Sequence, residues 1–224
     1  MEQKDPRVPI LIGMGILIVL SIGGIIWAVM SATNGSLGRE DVNVSFIDAE
    51  DPVTGKEDSS VVLRMYSDFQ CPACRTAEEG VDYIRKTYGD RLKIIWNDFP
   101  LEASHQNARR AANAARCAEA QGKFWEYHDL LFARQDLWAS LDDPSETFLQ
   151  YAKELQLNEG YFDQCNLNRT YDSKIIQDMK EGSANRVDGT PTFFINSRRI
   201  VGGLSAAQWD NELARLLKNV ASTK

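Results

Sequence analysis

Residues 10–30 carry no charge and are interrupted only by glycines and Ser21. A stretch of that length and character matches a helix that crosses a bilayer. Beyond it the pattern breaks into short pieces. Residues 31–40 are small, polar and glycine-containing, and read as a tether. Val42, Val44 and Phe46 alternate with polar residues, which predicts a short edge strand, and residues 48–60, with Pro52 and Gly55, predict a solvated loop. Residues 61–66 form a compact, mostly apolar run of the kind a buried strand shows. Ala77, Val81, Ile84 and Tyr88 recur at helical spacing up to Gly89, and Leu92, Ile94 and Trp96 then predict a second strand that ends at Asp98-Phe99-Pro100. Strand, helix and strand within about 40 residues make a parallel crossover unit.

Residues 104–185 read as helical throughout. Ala108, Ala111, Ala112 and Ala115 form one stripe, and Phe124, Tyr127, His128 and Leu131 form another. Asp143-Pro144-Ser145-Glu146 carries helix-start signals ahead of Phe148, Tyr151, Ala152 and Leu155. Ile175, Ile176 and Met179 mark a last helix before Gly182. No linker-like composition separates this block from the strands around it, so it is an inserted helical subdomain packed on the sheet's domain. Residues 192–196 and 199–201 predict a hairpin around Ser197-Arg198. Ser205-Ala206-Ala207-Gln208 is a capping box, and Trp209, Leu213, Leu216, Leu217 and Val220 line one face of a closing helix.

The chain of 224 residues is long enough for one substantial domain and an accessory segment. Its net charge of −7 falls entirely beyond residue 38, because Lys4 and Arg7 balance Glu2 and Asp5. An acidic domain of this kind is a poor nucleic-acid binder. The two basic residues precede the apolar stretch, and the next one beyond it is Arg39, which places residues 1–9 in the cytoplasm. A cleaved signal peptide is the competing reading, but its apolar region usually runs about 7 to 15 residues. The expectation is therefore a single-pass anchor at 10–30, with the rest outside the cell membrane, in a periplasm or at the outer cell surface. Four cysteines suit such an oxidising compartment.

The chemistry concentrates in Cys71-Pro72-Ala73-Cys74, where the first strand gives way to the first helix. Two cysteines at this spacing can close a small disulfide, and at a helix N-terminus unpaired N–H groups and the dipole favour the first sulfur as thiolate. Pro72 is well tolerated in a first helical turn. The alternative, half of a structural zinc site, needs two more ligands. The chain has no second CxxC, and its two histidines, His105 and His128, are not closely paired. Disulfide exchange at Cys71 and Cys74 is the reading the spacing favours.

The order strand, CxxC helix, strand, helical insertion, Thr-Pro hairpin and helix resembles the DsbA-like branch of the thioredoxin superfamily, roughly over residues 61–220. Its most specific pieces are Ser67-Asp68-Phe69-Gln70-Cys71-Pro72-Ala73-Cys74, Gln121-Gly122-Lys123-Phe124-Trp125-Glu126-Tyr127-His128, and Val187-Asp188-Gly189-Thr190-Pro191-Thr192-Phe193-Phe194-Ile195. The resemblance implies an α/β thioredoxin fold over residues 61–103 and 186–224. With the patterns already described, the expected arrangement is a helical insertion at 104–185, a tether and edge segment at 31–60, and one N-terminal transmembrane helix before them. It makes Cys71 the nucleophile and Cys74 the resolving cysteine, and it makes Thr190-Pro191 a cis-proline loop that holds substrate backbone as an added strand. No metal or organic cofactor is implied. The partners implied are cysteine-containing unfolded or folding proteins and a quinone-linked thiol oxidase in the membrane.

Two departures bear on the mechanism. Relatives usually carry a buried carboxylate six residues before the nucleophile, and here that position is Met65. Either a water moves the resolving thiol's proton or Asp68 does, and Asp68 reads equally well as a turn residue bonding nearby backbone. Ala73 puts no charge beside Cys71, so a thiolate there must rest mainly on the helix terminus and backbone. Cys117 and Cys165, 48 apart in the insertion, pair in relatives with cysteines at similar places. His105 reads as a helix-start or surface residue and His128 as a core histidine with one satisfied nitrogen. Phe69, Trp125 and Phe193 read as packing. Two other functions stay open: a reductase or isomerase kept reduced by a membrane electron donor, and a non-catalytic anchored chaperone or binding module.

Overall fold

The computed structural model of the chain describes residues 40–47 and 50–221. The expected N-terminal segment 1–9, the anchor 10–30 and the tether up to residue 39 lie outside the described residues. Among the described residues no helix is long and apolar enough to cross a membrane.

Strands β1 (Glu40–Asp41), β2 (Val53–Gly55), β3 (Val62–Ser67), β4 (Lys93–Asp98), β5 (Thr192–Ile195) and β6 (Arg198–Val201) form one mixed sheet in the order β1-β6-β5-β3-β4-β2. Helix α1 (Pro72–Tyr88) connects β3 to β4, which pair in parallel, as a right-sized crossover requires. Helices α2 (Ala108–Glu119), α3 (Phe124–Ala133), α4 (Gln135–Trp138), α5 (Ser145–Glu154), α6 (Glu159–Leu167) and α7 (Asp172–Ala184) form the helical insertion between β4 and β5. Strands β5 and β6 form the expected antiparallel hairpin, and α8 (Ala206–Ala221) follows it.

The α8 capping box forms, with Ser205 N donating to Gln208 Oε1 at 2.9 Å and Gln208 N to Ser205 Oγ at 3.4 Å. Trp209 and Leu213 of α8 are fully buried, and Leu216 and Leu217 pack against the same core. The side chain of Val220 lies outside the described set.

Two stretches differ from their patterns. Within the predicted loop, β2 pairs antiparallel with β4, matching Val53 to Ile95 and Gly55 to Lys93. Three residues are too few for a hydrophobic period, and their partners lie about 40 residues on, so backbone pairing alone makes this strand. Conversely, Val42, Val44 and Phe46 do not form a ladder. The strand ends at Asp41, although the three side chains do alternate inward onto an apolar cluster of Tyr66, Phe99, Val187 and Phe194. The backbone here is met by side chains at the end of α7. Ser45 N donates to Asn185 Oδ1 at 3.1 Å, and Ile47 N donates to Glu181 Oε2 at 2.6 Å.

The sheet's two faces are covered differently. Leu63 and Met65 of β3 join Cys74, Val81 and Ile84 of α1 in the larger core, while Tyr66 faces α7 and donates to Glu181 Oε1 at 2.5 Å. The insertion is tied to the sheet by a buried ionic network. Arg116 on α2 donates to Asp98 Oδ2 on β4 and to Asp178 Oδ2 on α7, both at 2.7 Å. Asp51 lies among Arg64, Asn97, Arg116 and Lys174, and Lys174 also bonds Asp178. A disulfide joins Cys117 on α2 to Cys165 on α6.

Helix α1 is pressed closely onto the link between β6 and α8. A Cβ at Gly80 would lie 2.2 Å from Leu204 O and 2.8 Å from Trp209 Nε1. Gly80→Ala should therefore destabilise the fold by about 1 to 3 kcal/mol through overpacking, measured by urea unfolding. Replacing Cys117 and Cys165 together by alanine should cost about 2 to 4 kcal/mol in the same measurement.

Candidate active site

Cys71 is the N-cap residue of α1, with extended backbone angles and Pro72 directly after it in the first turn. The placement follows from the local chain. Asp68 O accepts from Cys71 N at 3.1 Å to close a tight turn off the end of β3, and Arg75 N then donates back to Cys71 O at 3.1 Å as the helix begins. The backbone N–H groups of Ala73 and Cys74, in the first helical turn, favour the Cys71 thiolate.

The Thr190-Pro191 peptide is cis and faces this turn. Cys71 Sγ lies 3.6 Å from Thr190 O, so the thiol donates to the carbonyl just before the proline. The two predicted substrate-holding residues and the two predicted redox cysteines are thus brought together.

The cysteines are sharply unlike. Cys71 is lowered to about 5 by the Cys74 thiol above all, working against burial, with further help from the backbone N–H groups of Cys74 and Ala73 and from Thr190. No neighbouring cation is needed, which fits Ala73 beside it. Cys74 is fully buried, and burial pushes its thiol well above the ordinary range, with the Cys71 sulfur adding to the rise. The hydroxyls of Ser67 and Thr190 act on the Cys74 sulfur in the opposite sense. Met65, where a carboxylate would be expected, is fully buried in the apolar core.

Asp68 is buried, and both its oxygens are engaged. Oδ1 accepts from Gln70 N at 2.7 Å, and Oδ2 accepts from Leu101 N at 2.9 Å and meets His105 Nδ1 at 2.6 Å. The turn reading of Asp68 is therefore realised, and His105, expected at a surface or helix start, braces that turn. His128 is a core histidine, as expected. Phe69, Trp96, Phe124, Trp125 and Phe132 surround its ring, and burial lowers its pKa. Its Nδ1 meets Asp129 Oδ1 at 2.8 Å, while Nε2 lies 3.6 Å from Glu78 Oε2.

The insertion also grips the site, through Gln135 and Asn107, which no sequence pattern marked, and through Gln70 beside the CxxC. Gln135 Nε2 on α4 donates to Phe69 O at 2.7 Å and to Cys71 O at 3.2 Å. Gln70 Nε2 donates to Ala139 O at 2.7 Å, and Gln70 Oε1 accepts from Asn107 N at 2.7 Å. A glutamine inside a helical stripe carries no signal of a contact 64 residues away. Beside Cys71 a groove of about 870 Å³ runs from Ala73 along α1 to Gly203 and Leu204. Among the described residues no group of histidine, cysteine and carboxylate side chains is arranged to hold a metal ion.

A CxxC at the start of the first crossover helix, faced by a cis-proline loop and backed by a helical insertion, defines a thioredoxin-like fold. The thioredoxin family profile matches residues 48–218, and the chain belongs to that family.

Among solved structures, BdbD from Bacillus subtilis in its oxidised form aligns with a TM-score of 0.71 at 20% identity, covering 80% of this chain and 99% of that one. The alpha-DsbA1 of Wolbachia pipientis aligns with a TM-score of 0.70 at 21% identity, covering 81% of this chain and 97% of that one. Sequence relatives include the Na(+)/H(+) antiporter NhaA 1 of Mycobacterium sp. (strain KMS), 33% identical over 214 residues. The Na(+)/H(+) antiporter NhaA 3 of Salinispora tropica is 36% identical over 172 residues. The matches take in 92% and 77% of this chain but only 33% and 25% of the two antiporters, so the chain spans a third or less of their length.

The depressed Cys71 pKa has a checkable sign. In the unfolded chain the thiol ionises near its ordinary value, and in the fold near about 5. The reduced protein thus gains stability that is fully present above the unfolded value and is lost as pH falls through about 5. Alkylation of the reduced protein by iodoacetamide should titrate with a midpoint near 5, and the thiolate's contribution to reduced-state stability should vanish below it.

Proposed function

We propose that the protein is a thiol-disulfide oxidoreductase that introduces disulfides into translocated proteins. The observation that carries this reading is the contrast between Cys71, held as a thiolate at neutral pH, and Cys74, held as a buried thiol. Stabilising the dithiol form lowers the standing of its disulfide, so the oxidised site gives its disulfide away.

In the oxidised protein a substrate thiolate attacks Cys71 Sγ, the Cys71–Cys74 bond breaks, and its electron pair departs on Cys74 Sγ, which takes up a proton. The substrate is then joined to Cys71 as a mixed disulfide. Its second thiolate attacks its own bonded sulfur, expels Cys71 as a thiolate and leaves with a new disulfide, two electrons having passed to the protein. Thr190 and Pro191 would hold the substrate backbone beside Cys71, and the groove toward Gly203 would receive an extended segment. Asp68 we assign to the turn that presents Cys71, since its oxygens are taken by Gln70, Leu101 and His105.

Turnover requires a reoxidant, which we propose to be a quinone-linked thiol oxidase in the membrane, with residues 10–30 anchoring the domain close to it outside the cytoplasm. No metal or organic cofactor enters the exchange.

The test compares the full chain with Cys71→Ala and Cys74→Ala in oxidation of a reduced dithiol peptide and in insulin reduction. The expected result is peptide oxidation by the oxidised wild type, none by Cys71→Ala, and a trapped mixed disulfide in Cys74→Ala. Unchanged activity in Cys71→Ala would remove catalysis from this site. Efficient insulin reduction without peptide oxidation would reverse the proposed direction.

A further inference from the structure

The resolving cysteine has the harder task in this site. Its sulfur must carry a negative charge each time the Cys71–Cys74 bond breaks or re-forms, yet it is fully buried, and the position that would hold a carboxylate beneath it is Met65. The two-residue repeat of β3 sends Leu63, Met65 and Ser67 to one face of the sheet. Leu63 and Met65 lie in the same core cluster as Cys74, so Ser67 is the next side chain on that face toward the site. Ser67 is 1% exposed, ends β3 and pairs with Asp98 in the ladder. Its Oγ has no hydrogen-bond partner, sulfur included, among the described residues.

A buried hydroxyl without a partner is costly, so one that persists asks for an explanation. Thr190 Oγ1 is the other unpartnered hydroxyl at the site, and both favour the ionised form of Cys74 against the effect of burial. Thr190 is shared with Cys71, which it also bonds through its carbonyl, whereas Ser67 faces Cys74 alone in this pair.

We propose that Ser67 is a catalytic residue whose hydroxyl donates a hydrogen bond to Cys74 Sγ when that sulfur is a thiolate, in place of the absent carboxylate. This rests on the thiol-disulfide exchange reading. When a substrate thiolate opens the Cys71–Cys74 bond, the electron pair arrives on Cys74 Sγ and the Ser67 O–H meets it. In the reverse step Cys74 thiolate attacks Cys71 Sγ of a mixed disulfide and the substrate sulfur leaves as thiolate. Ser67 keeps its proton throughout and stabilises the charge without exchanging electrons. Such preorganised donation in a dry site is effective because the dipole is already in place when the charge appears.

The experiment follows the reduced full chain after rapid mixing with glutathione disulfide. The first phase is attack by Cys71, giving the Cys71–glutathione mixed disulfide. The second is its resolution by Cys74, which frees the second glutathione. Ser67→Ala is expected to slow the second phase about tenfold or more and raise the pH at which it accelerates, leaving the first phase and the Cys71 alkylation profile unchanged. Ser67→Thr, which keeps the hydroxyl, should restore the second phase, and Ser67→Val, of the same shape without it, should not. That isosteric pair decides the matter if the alanine variant does not fold. Resolution at the wild-type rate in Ser67→Ala, or equal rates in the threonine and valine variants, overturns the role of Ser67 while leaving exchange chemistry intact. A wild type that forms no mixed disulfide at all overturns the exchange reading, and the role of Ser67 with it.

Discussion

The site depends on a negative charge held on a sulfur that is only 6% exposed. Burial opposes ionisation, so the charge persists only where donors converge on it. Here they are supplied by chain geometry. The turn at Asp68 brings Cys71 to the N-cap, Pro72 starts the helix without an N–H to leave unsatisfied, and the amides of Ala73 and Cys74 aim at the sulfur. The Cys74 thiol completes the set, because the deeper burial of Cys74 keeps its proton in place. A proton kept on Cys74 is a donor to Cys71. The same asymmetry keeps the buried sulfur from competing as nucleophile.

This arrangement needs α1 fixed in position, and the fold fixes it from several sides. Close approach at Gly80 seats α1 on the chain leading into α8, and Tyr83 and Tyr88 both donate to Asp210 on that helix, at 2.8 and 2.6 Å. From the insertion, Gln135 holds the carbonyls of Phe69 and Cys71. The insertion is in turn registered on the sheet by Arg116 between Asp98 and Asp178 and by the Cys117–Cys165 bridge. Buried ion pairs of this kind roughly break even against apolar packing. The Arg116 network is therefore better understood as setting how α2 and α7 sit on β4 than as a source of stability.

Much of the fold was legible because its signals are local. The crossover unit, the hairpin, the Ser205–Gln208 cap and the helical insertion each announce themselves within one window of sequence, and the CxxC carries its chemistry in its spacing, whereas Thr190-Pro191 was marked only by the family resemblance. What was not legible is long-range. Strand β2 exists because Val53–Gly55 finds a partner in β4, and the stretch of Val42, Val44 and Phe46 forms no ladder where the Asn185 and Glu181 side chains take the N–H groups of Ser45 and Ile47. Gln135 and Arg116 read as ordinary helical residues until the helices are placed. Ser67 lies within a recognisable motif, yet only its place on the sheet face and its unpartnered buried hydroxyl give it a role. Asp68 was open between proton transfer and a turn, and three hydrogen-bonding contacts on its carboxylate show it holding the turn.

If the Cys71 thiolate is what sets the direction of exchange, the reduction potential of the Cys71–Cys74 pair is the most direct measure of it. Equilibrating the full chain with glutathione at pH 7 should give a value between about −180 and −120 mV, the range of proteins that donate disulfides. A value near about −270 mV, the level of thioredoxin, would contradict the account and make the protein a reductant.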